Sequence, residues 1–480
     1  MTIDRFLPRI SRHYHQGRLY GREPELFAVP VRAATTAGTA LLEKGDVYAA
    51  ELQYRRALTA RADDAEALCG LALSLYQQTR WSEAEELLKA VLAIRPGWRK
   101  AEVALGEVLL QLGRYREALS SFRDLVRALP ENPYLRKRYN RIRKRHEEIE
   151  AARRSIRIEN EPNAEWGETR RGTAISLQPN PVIRPDSRIF TMGSCFALEV
   201  RHELERRGFG MFPNYSALRV DPTRQKINAL PDRNNLNYYD TFTIRQEFDQ
   251  ALEGRRYELE DFWRISGRPI NSLFRSPVVF QDPYRKNVYG IDGDAILDAS
   301  DQLSSVIAEG IEASDVYVIT LGLTEAWQNL SNGMYVAGPP GGKTGGAGLC
   351  RLRLSTFADN YANLRRVMEL ISANFDNRDV ILTVSPVALH RTFSGQDVIV
   401  ASTESKSILR AVAGQLAREY PRVHYMPTYE LFGRHDLYHE DGRHASRDGV
   451  EVVFDTLLSA FMEPTVERAD IRELLRERAA

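Results

Sequence analysis

Cysteine is nearly absent from this chain, with Cys69, Cys195 and Cys350 the only three in 480 residues. A set so sparse and odd builds no disulfide framework and fits a reducing compartment. Long apolar runs are missing too. No stretch approaches the roughly 18 uncharged apolar residues of a membrane-spanning helix, and the opening MTIDRFLPRISRHYHQ lacks the apolar centre of a signal peptide. Charge of one sign is also lacking. Lysine and arginine number 66 against 65 acidic residues, a formal charge of +1, so nothing global points to nucleic acid. The expected location is the cytoplasm. What the chain has is length, too much for one hydrophobic core, and two or three domains are expected.

Internal repeats come first. The windows ALCGLALSLYQQTRWSEAEELLKAVLAIRP and AEVALGEVLLQLGRYREALSSFRDLVRALP align at a spacing of 34, matching Trp81 with Tyr115, Ala84 with Ala118, Leu88 with Phe122 and Pro96 with Pro130. A weaker copy carries Gly45, Ala50, Tyr54 and Leu58 in phase. Each unit reads as two short amphipathic helices that bury their apolar faces only by stacking on neighbours. A generic helical bundle is the blander alternative. The run LRKRYNRIRKRHEEIEAARRSIR then reads as a solvated capping helix rather than a nucleic-acid patch, because terminal repeats need a polar outer face. Prolines at 179, 181 and 185 exclude a regular helix there. The expected organisation is a repeat domain over residues 1–157, a linker over 158–185, an α/β domain over 186–465 and a charged tail over 466–480.

From Arg188 onward, apolar runs alternate with helical patterns. Strands are expected at Arg188–Met192, Asp315–Leu321, Asp379–Val384 and Val423–Pro427. Helices are expected at Phe196–Arg207, Ala299–Glu309, Phe357–Asn374, Glu404–Tyr420 and Arg447–Phe461. Strands spaced by helices imply a mostly parallel sheet covered on both faces, whose ligands bind beyond the carboxyl ends of the strands. After those ends come Gly193-Ser194-Cys195-Phe196-Ala197, Gly322-Leu323-Thr324-Glu325-Ala326-Trp327 and Ser385-Pro386-Val387. Asp441-Gly442-Arg443-His444 precedes the last helical pattern. One pocket could hold them all. A thiol at the mouth of a helix sits among free N–H groups, which lower its pKa and stabilise an oxyanion. Asp441, three residues before His444, suits orienting an imidazole toward a nucleophile. Taken singly, Cys195 also reads as a buried small hydrophobe, and Asp441–His444 as a helix-start cap.

The repeats resemble the tetratricopeptide family over roughly residues 31–132. The string GSCFA, with TLGLTEAW, SPVAL, the Ser405-Lys406 pair with Arg410, and Asp441-x-x-His444, resembles the GSCFA domain family over roughly residues 186–460. That family is grouped with the SGNH/GDSL hydrolases. The resemblance implies a three-layer α/β/α, flavodoxin-like domain that hydrolyses or transfers acyl esters, often on lipids or glycans. It places the hydrolases' nucleophile block on Gly193-Ser194-Cys195, their Gly-x-Asn block on Gly322-Leu323-Thr324, and their Asp-x-x-His block on Asp441 to His444. The nucleophilic serine thereby becomes Cys195, with Ser194 the rival one residue away, and the oxyanion asparagine becomes Thr324.

The expected function is acyl transfer, as O-acyltransferase or acyl esterase, on a glycan or envelope-related substrate. Cys195, His444 and Asp441 would be catalytic. Gly193, Ser194, Gly322, Thr324, Glu325, Asn214 and Lys406 would form the oxyanion and substrate site. Lys406 and Arg410, four apart on a helix, read equally as anion binders or a solvated face. No metal and no tightly bound cofactor is expected: HDLYHEDGRH lacks regular ligand spacing, and an acyl-thioester such as acyl-CoA would serve as donor. GPPGGKTGGAG lacks the glycine six residues before Lys343 that a P-loop needs, and reads as a glycine-rich lid. The repeats would offer a surface to a protein or peptide partner. The alternative is a non-catalytic scaffold or adaptor with a degenerate α/β domain.

Overall fold

The computed structural model describes residues 31–463 except 79, 159–174, 222, 228–235, 267–277, 339–348 and 440. The chain forms two compact units. One comprises Met1–Ala151 with the short segments Asp436–His439 and Ser446–Asp448. The other comprises Ala152–His435, Glu440–Ala445 and Gly449–Ala480.

The first unit is built from helices α1 (Val31–Glu43), α2 (Val47–Ala60), α3 (Ala65–Gln77), α4 (Trp81–Ile94), α5 (Arg99–Gln111), α6 (Tyr115–Ala128) and α7 (Pro133–Ser155). The helices α1, α3, α5 and α7 begin at 31, 65, 99 and 133, so the 34-residue period of the sequence is the period of the fold. Asp46 and Asp64 cap α2 and α3 by accepting from the Ala49 and Ala67 amides at 3.2 and 2.8 Å. Small residues let aromatic rings dock. A Cβ on Gly70 would lie 2.2 Å from the Tyr54 ring, and one on Gly106 would lie 2.6 Å from Phe122. In α7, Leu135, Ile142 and Ile149 are buried at seven-residue intervals and the charges lie between them, the pattern of a helix with one apolar stripe.

The second unit is α/β. Five parallel strands, β1 (Arg188–Gly193), β2 (Gly210–Phe212), β3 (Val316–Leu321), β4 (Asp379–Val384) and β5 (Val423–Met426), pair in the order β5-β4-β3-β1-β2. Phe190, Met192, Tyr317, Ile319, Leu321, Leu382 and Val384 join one large core with residues of four helices. These are α9 (Thr241–Glu253), α10 (Gly293–Ala313), α11 (Phe357–Asn374) and α12 (Val398–Glu419). The alternate residues Ile189, Val316, Val318 and Ile381 are buried as well, so the sheet is covered on both faces. Helices α8 (Cys195–Arg206), α13 (Thr428–Arg434) and α14 (Arg447–Phe461) complete the unit; Phe196 of α8 meets Phe432 of α13 edge-on.

Two antiparallel sheets lie outside the four strands expected from the sequence. One pairs Gln225–Lys226, Val288–Gly290, Val278–Asp282 and Trp263–Ser266 in that order. The other pairs Tyr335–Val336, Glu325–Asn329 and Cys350–Leu354. The proline stretch expected as linker is also more ordered than a linker. Asn180, Val182 and Ile183 donate backbone hydrogen bonds of 2.6–2.8 Å to the carbonyls of Ala460 and Phe461 at the end of α14. Pro179 and Pro181 cannot donate, so the amides beside them hold this segment down. The expected charged tail over 466–480 lies outside the described residues.

Candidate active site

In a doubly wound sheet of this order the direction in which strands are added reverses between β1 and β3, which opens a crevice at their carboxyl ends. Gly193 ends β1 there, Cys195 begins α8, and Gly322 follows β3. The fit is too close for side chains. Gly193 has φ +140°, and a Cβ on it would lie 2.1 Å from the Thr320 carbonyl oxygen; a Cβ on Gly322 would lie 2.5 Å from the Tyr239 carbonyl oxygen. The backbone ties three segments together. Ser194 N donates to Thr320 O at 3.1 Å, Tyr238 N to Gly193 O at 2.8 Å, and Leu323 N to Tyr239 O at 2.8 Å.

A cavity of about 680 Å³ opens at this point. It brings together Ser194, Cys195, Gly322, Glu325, Lys406 and His444 of the expected site, and the Ser385–Leu389 segment lines it as well. Gly193 lies directly behind, at the end of β1. Besides Gly193, three expected residues are not on the wall: Asp441, which reaches the site only through His444, Asn214 and Thr324. Asn214 is exposed at the start of a 3-10 turn after β2, the edge strand on the far side of β1. Thr324 is buried with its backbone committed, its amide donating to Ser405 Oγ at 2.9 Å and its carbonyl accepting from Ser355. Glu325 reaches the wall, but its carboxylate is taken by the Phe393 amide at 3.0 Å and the Thr392 hydroxyl. Arg410 turns away from the site, donating to Glu430 at 2.5 Å and stacking over Tyr425. The glycine-rich stretch falls largely at 339–348, outside the described residues.

Asp441 and His444 form a pair. Asp441 Oδ1 accepts the His444 amide at 3.0 Å, and Oδ2 meets imidazole Nδ1 at 2.5 Å. Arg443 Nη2 lies 2.8 Å from Nε2. Guanidinium only donates, so Nε2 is the acceptor and the imidazole proton sits on Nδ1, facing the carboxylate. That is the tautomer a general base needs. Burial pulls the Asp441 carboxyl up, but the Arg443 and His444 amides and the imidazole together hold it below the ordinary value.

The nucleophile candidates sit side by side. Ser194 precedes the first turn of α8 in extended conformation, and its buried hydroxyl has no hydrogen-bond partner among the described residues. For Cys195 the sequence led us to expect a lowered thiol pKa; the structure reverses the direction. Burial dominates and pushes the thiol up, while Lys406 first, then Arg443 and Lys286, pull it back, and Glu199 opposes them. Burial also pushes the Lys406 ammonium down to about 8. Its Nζ donates to the Gly322 carbonyl at 2.5 Å.

Asn237, Tyr239 and Lys286, which belong to none of the segments the sequence points to, line the cavity together with Arg443 of the histidine loop. Asn237 is bridge-paired with Gly193, which sets an amide beside the nucleophile loop where the hydrolase pattern has its asparagine elsewhere. The only sequence signal was the tyrosine- and asparagine-rich NLNYYD before α9. His435, first of the HDLYHEDGRH run, lies beside Ser155 at 2.9 Å, and His424 sits between Asn180 and Asp379 at 2.6 and 2.9 Å.

The model of the GSCFA family matches residues 188–457, more than half of the chain. The chain belongs to the GSCFA family. The name-giving string of the GSCFA unit is therefore the segment that crosses from β1 into α8 at the mouth of the cavity. Tetratricopeptide repeats match residues 35–97 and 103–154. Among solved structures, the Arabidopsis OM64 TPR domain is 23% identical, covering 24% of this chain and 94% of its own, with a TM-score of 0.23. The second TPR domain of human RPAP3, in complex with an HSP70 peptide, is 19% identical over 24% of this chain and 94% of its own, with a TM-score of 0.23. A Thermobaculum terrenum O-GlcNAc transferase is 14% identical over 95% and 94%, with a TM-score of 0.24. No curated protein matches the chain. No described helix is long and apolar enough to cross a membrane.

Proposed function

We propose that the GSCFA unit transfers acyl groups through Cys195, His444 and Asp441, with an acyl-thioester as donor and a glycan or envelope-related hydroxyl, or water, as acceptor. The observation that supports this reading is that one cavity at the sheet's switch point holds a thiol at a helix start and an imidazole whose Nδ1 is fixed by a carboxylate. His444 Nε2 takes the proton of Cys195, and Sγ attacks the carbonyl carbon. The first-turn amide of α8 at Cys195, with the Asn237 amide nearby, supplies donors for the oxyanion. The donor thiolate leaves with the proton held by His444, and an acceptor hydroxyl, deprotonated by the same imidazole, breaks the thioester. Tyr239 and Trp327 give the cavity flat apolar walls suited to a sugar ring. The tetratricopeptide repeats would bind a protein or peptide partner.

A second reading, a non-catalytic adaptor, is favoured by one feature: Arg443 occupies the Nε2 that a base must keep open. Intact-mass spectrometry after incubation with an acyl-thioester and an activated acyl ester separates the two. Acyl transfer expects one added acyl group on the wild type, lost in Cys195→Ala, with His444→Ala slowing its formation. An adduct lost in Ser194→Ala and kept in Cys195→Ala would move the nucleophile by one residue. Absence of any adduct or turnover across a broad donor panel would favour the adaptor.

A further inference from the structure

Lys406 is an expensive residue where it stands. It lies in the middle of α12 with 3% of its surface exposed. Burying an ammonium costs several kcal/mol unless a partner compensates. Its one hydrogen bond is to the neutral Gly322 carbonyl, and among the described residues no carboxylate pairs with it. Gly322 is packed against Ser194, since a Cβ on it would stand 3.1 Å from that residue's Cβ. The ammonium is thus held at the back of the cavity by the residue that abuts the nucleophile loop. Ser405 beside it is occupied by the Thr324 amide. Lys406 and Cys195 line the same cavity, and among the described residues Cys195 is the ionisable group whose negative charge acts on the ammonium.

We propose that Lys406 is the counter-ion of the Cys195 thiolate, stabilising the negative charge that develops on Sγ inside the shared cavity as its proton leaves. The proton leaves Sγ for His444 Nε2, and Lys406 keeps its own three. This role is distinct from contacting substrate: a cation anchored to a backbone carbonyl and enclosed on α12 acts on the nucleophile. The other charged groups acting on Cys195 are Glu199 on its own helix, Lys286 before the Val288–Gly290 strand, and Arg443 in the histidine loop. Of the cations, Lys406 is the buried one, where charge is least screened. The proposal rests on Cys195 being the nucleophile of the acyl-transfer reading, but its test needs no acyl donor.

The test is the pH dependence of iodoacetamide alkylation at Cys195, resolved by peptide mass spectrometry, in wild type, Lys406→Met and Lys406→Arg. Lys406→Met is expected to raise the midpoint by about one pH unit or more, which is roughly a tenfold loss of rate at pH 7. It should hold or raise the melting temperature, because an apolar side chain replaces a buried charge. Lys406→Arg should keep the midpoint within about 0.3 unit, since the charge remains. Should Lys406→Met lose the fold, Lys406→Gln carries the same measurement. An unchanged midpoint in the folded charge-removing variant, or an equal rise in Lys406→Arg, overturns the proposal. A Lys406-dependent midpoint with no acyl adduct on the wild type would instead sink the acyl-transfer reading and leave the ion pair standing.

Discussion

Arg285 and Glu247 form a pair whose burial predicts a large effect from a single amide. Arg285 is fully enclosed and Glu247 is 3% exposed; Nε and Nη2 donate to the two carboxylate oxygens at 2.8 and 2.9 Å. Tyr238 adds its hydroxyl to Glu247 at 2.9 Å, one residue from Asn237 in the cavity wall. In Glu247→Gln the amide turns a donor toward the guanidinium. The nearest remaining carboxylate, Asp282, is 3.9 Å from Nη1. Breaking a buried pair from one side costs about 3–5 kcal/mol, because the surviving charge stays buried. Hydrogen exchange in peptides from β3 reads that loss directly, and about 3 kcal/mol is a rise of roughly a hundredfold in exchange rate. Arg224 and Asp292 are the control: both carboxylate oxygens lie 2.9 Å from Nη2, but both side chains are about half exposed. Arg224→Met should leave exchange unchanged, because water and salt already screen such a pair. Equal effects from the two substitutions would refute the argument that burial, rather than geometry, sets the cost.

Asp240 caps α9 through the Thr243 amide at 2.9 Å, and burial raises its carboxyl to about 6. Its folded pKa lies above the unfolded value, so its contribution to stability is full below about pH 4 and is lost as pH rises through about 6. The stability of Asp240→Asn relative to wild type, from urea titrations at successive pH values, should therefore climb across that window; a flat difference would remove the claim. Gly193→Ala should prevent folding of the GSCFA unit, judged by soluble yield and circular dichroism, because the added methyl overlaps the Thr320 carbonyl. Gly45→Ala has nothing within 4 Å of its Cβ and should cost only about 1 kcal/mol of left-handed strain. Burial raises all three thiols, but at Cys195 three cations, Lys406, Arg443 and Lys286, offset it, whereas Cys69 and Cys350 are pushed up to about 11; iodoacetamide near neutral pH should therefore label Cys195 first, and peptide mapping over time checks the order.

The repeats were legible because their period is written in residues with few substitutes, Tyr54 against Gly70 and Phe122 against Gly106. The core strands were legible as unbroken apolar runs, and their order makes neighbours of the Gly193 and Gly322 loops. The antiparallel insertions were not, since strands of two to five residues carry too little alternation to show a period. With them went Asn237 and Tyr239, which reach the site through backbone pairing to Gly193 and Leu323 rather than through a motif. Lys406 read equally as part of a solvated face, because a helix of 22 residues shows its amphipathic stripe but not which end enters a cavity. The direction of the Cys195 shift was misjudged for a related reason: amides at a helix start are visible in a sequence, and the depth of the pocket around them is not.

The floor and the rim of the site are far apart along the chain. Between Cys195 and His444 lie 249 residue steps (444 − 195). At about 5–20 residues per second, a ribosome takes roughly 12–50 s to cross that interval. Throughout it, the thiol exists on a chain that lacks the His444 to which we propose it gives its proton, and Lys406 is itself made late in the same interval. β4 and β5 are also still to come, so the sheet whose carboxyl edge carries Cys195 is completed only once Met426 has been made. A nascent chain stalled before the Asp441–His444 loop would present Cys195 without its proposed partner, and the acyl transfer we propose would begin only once that loop has been made.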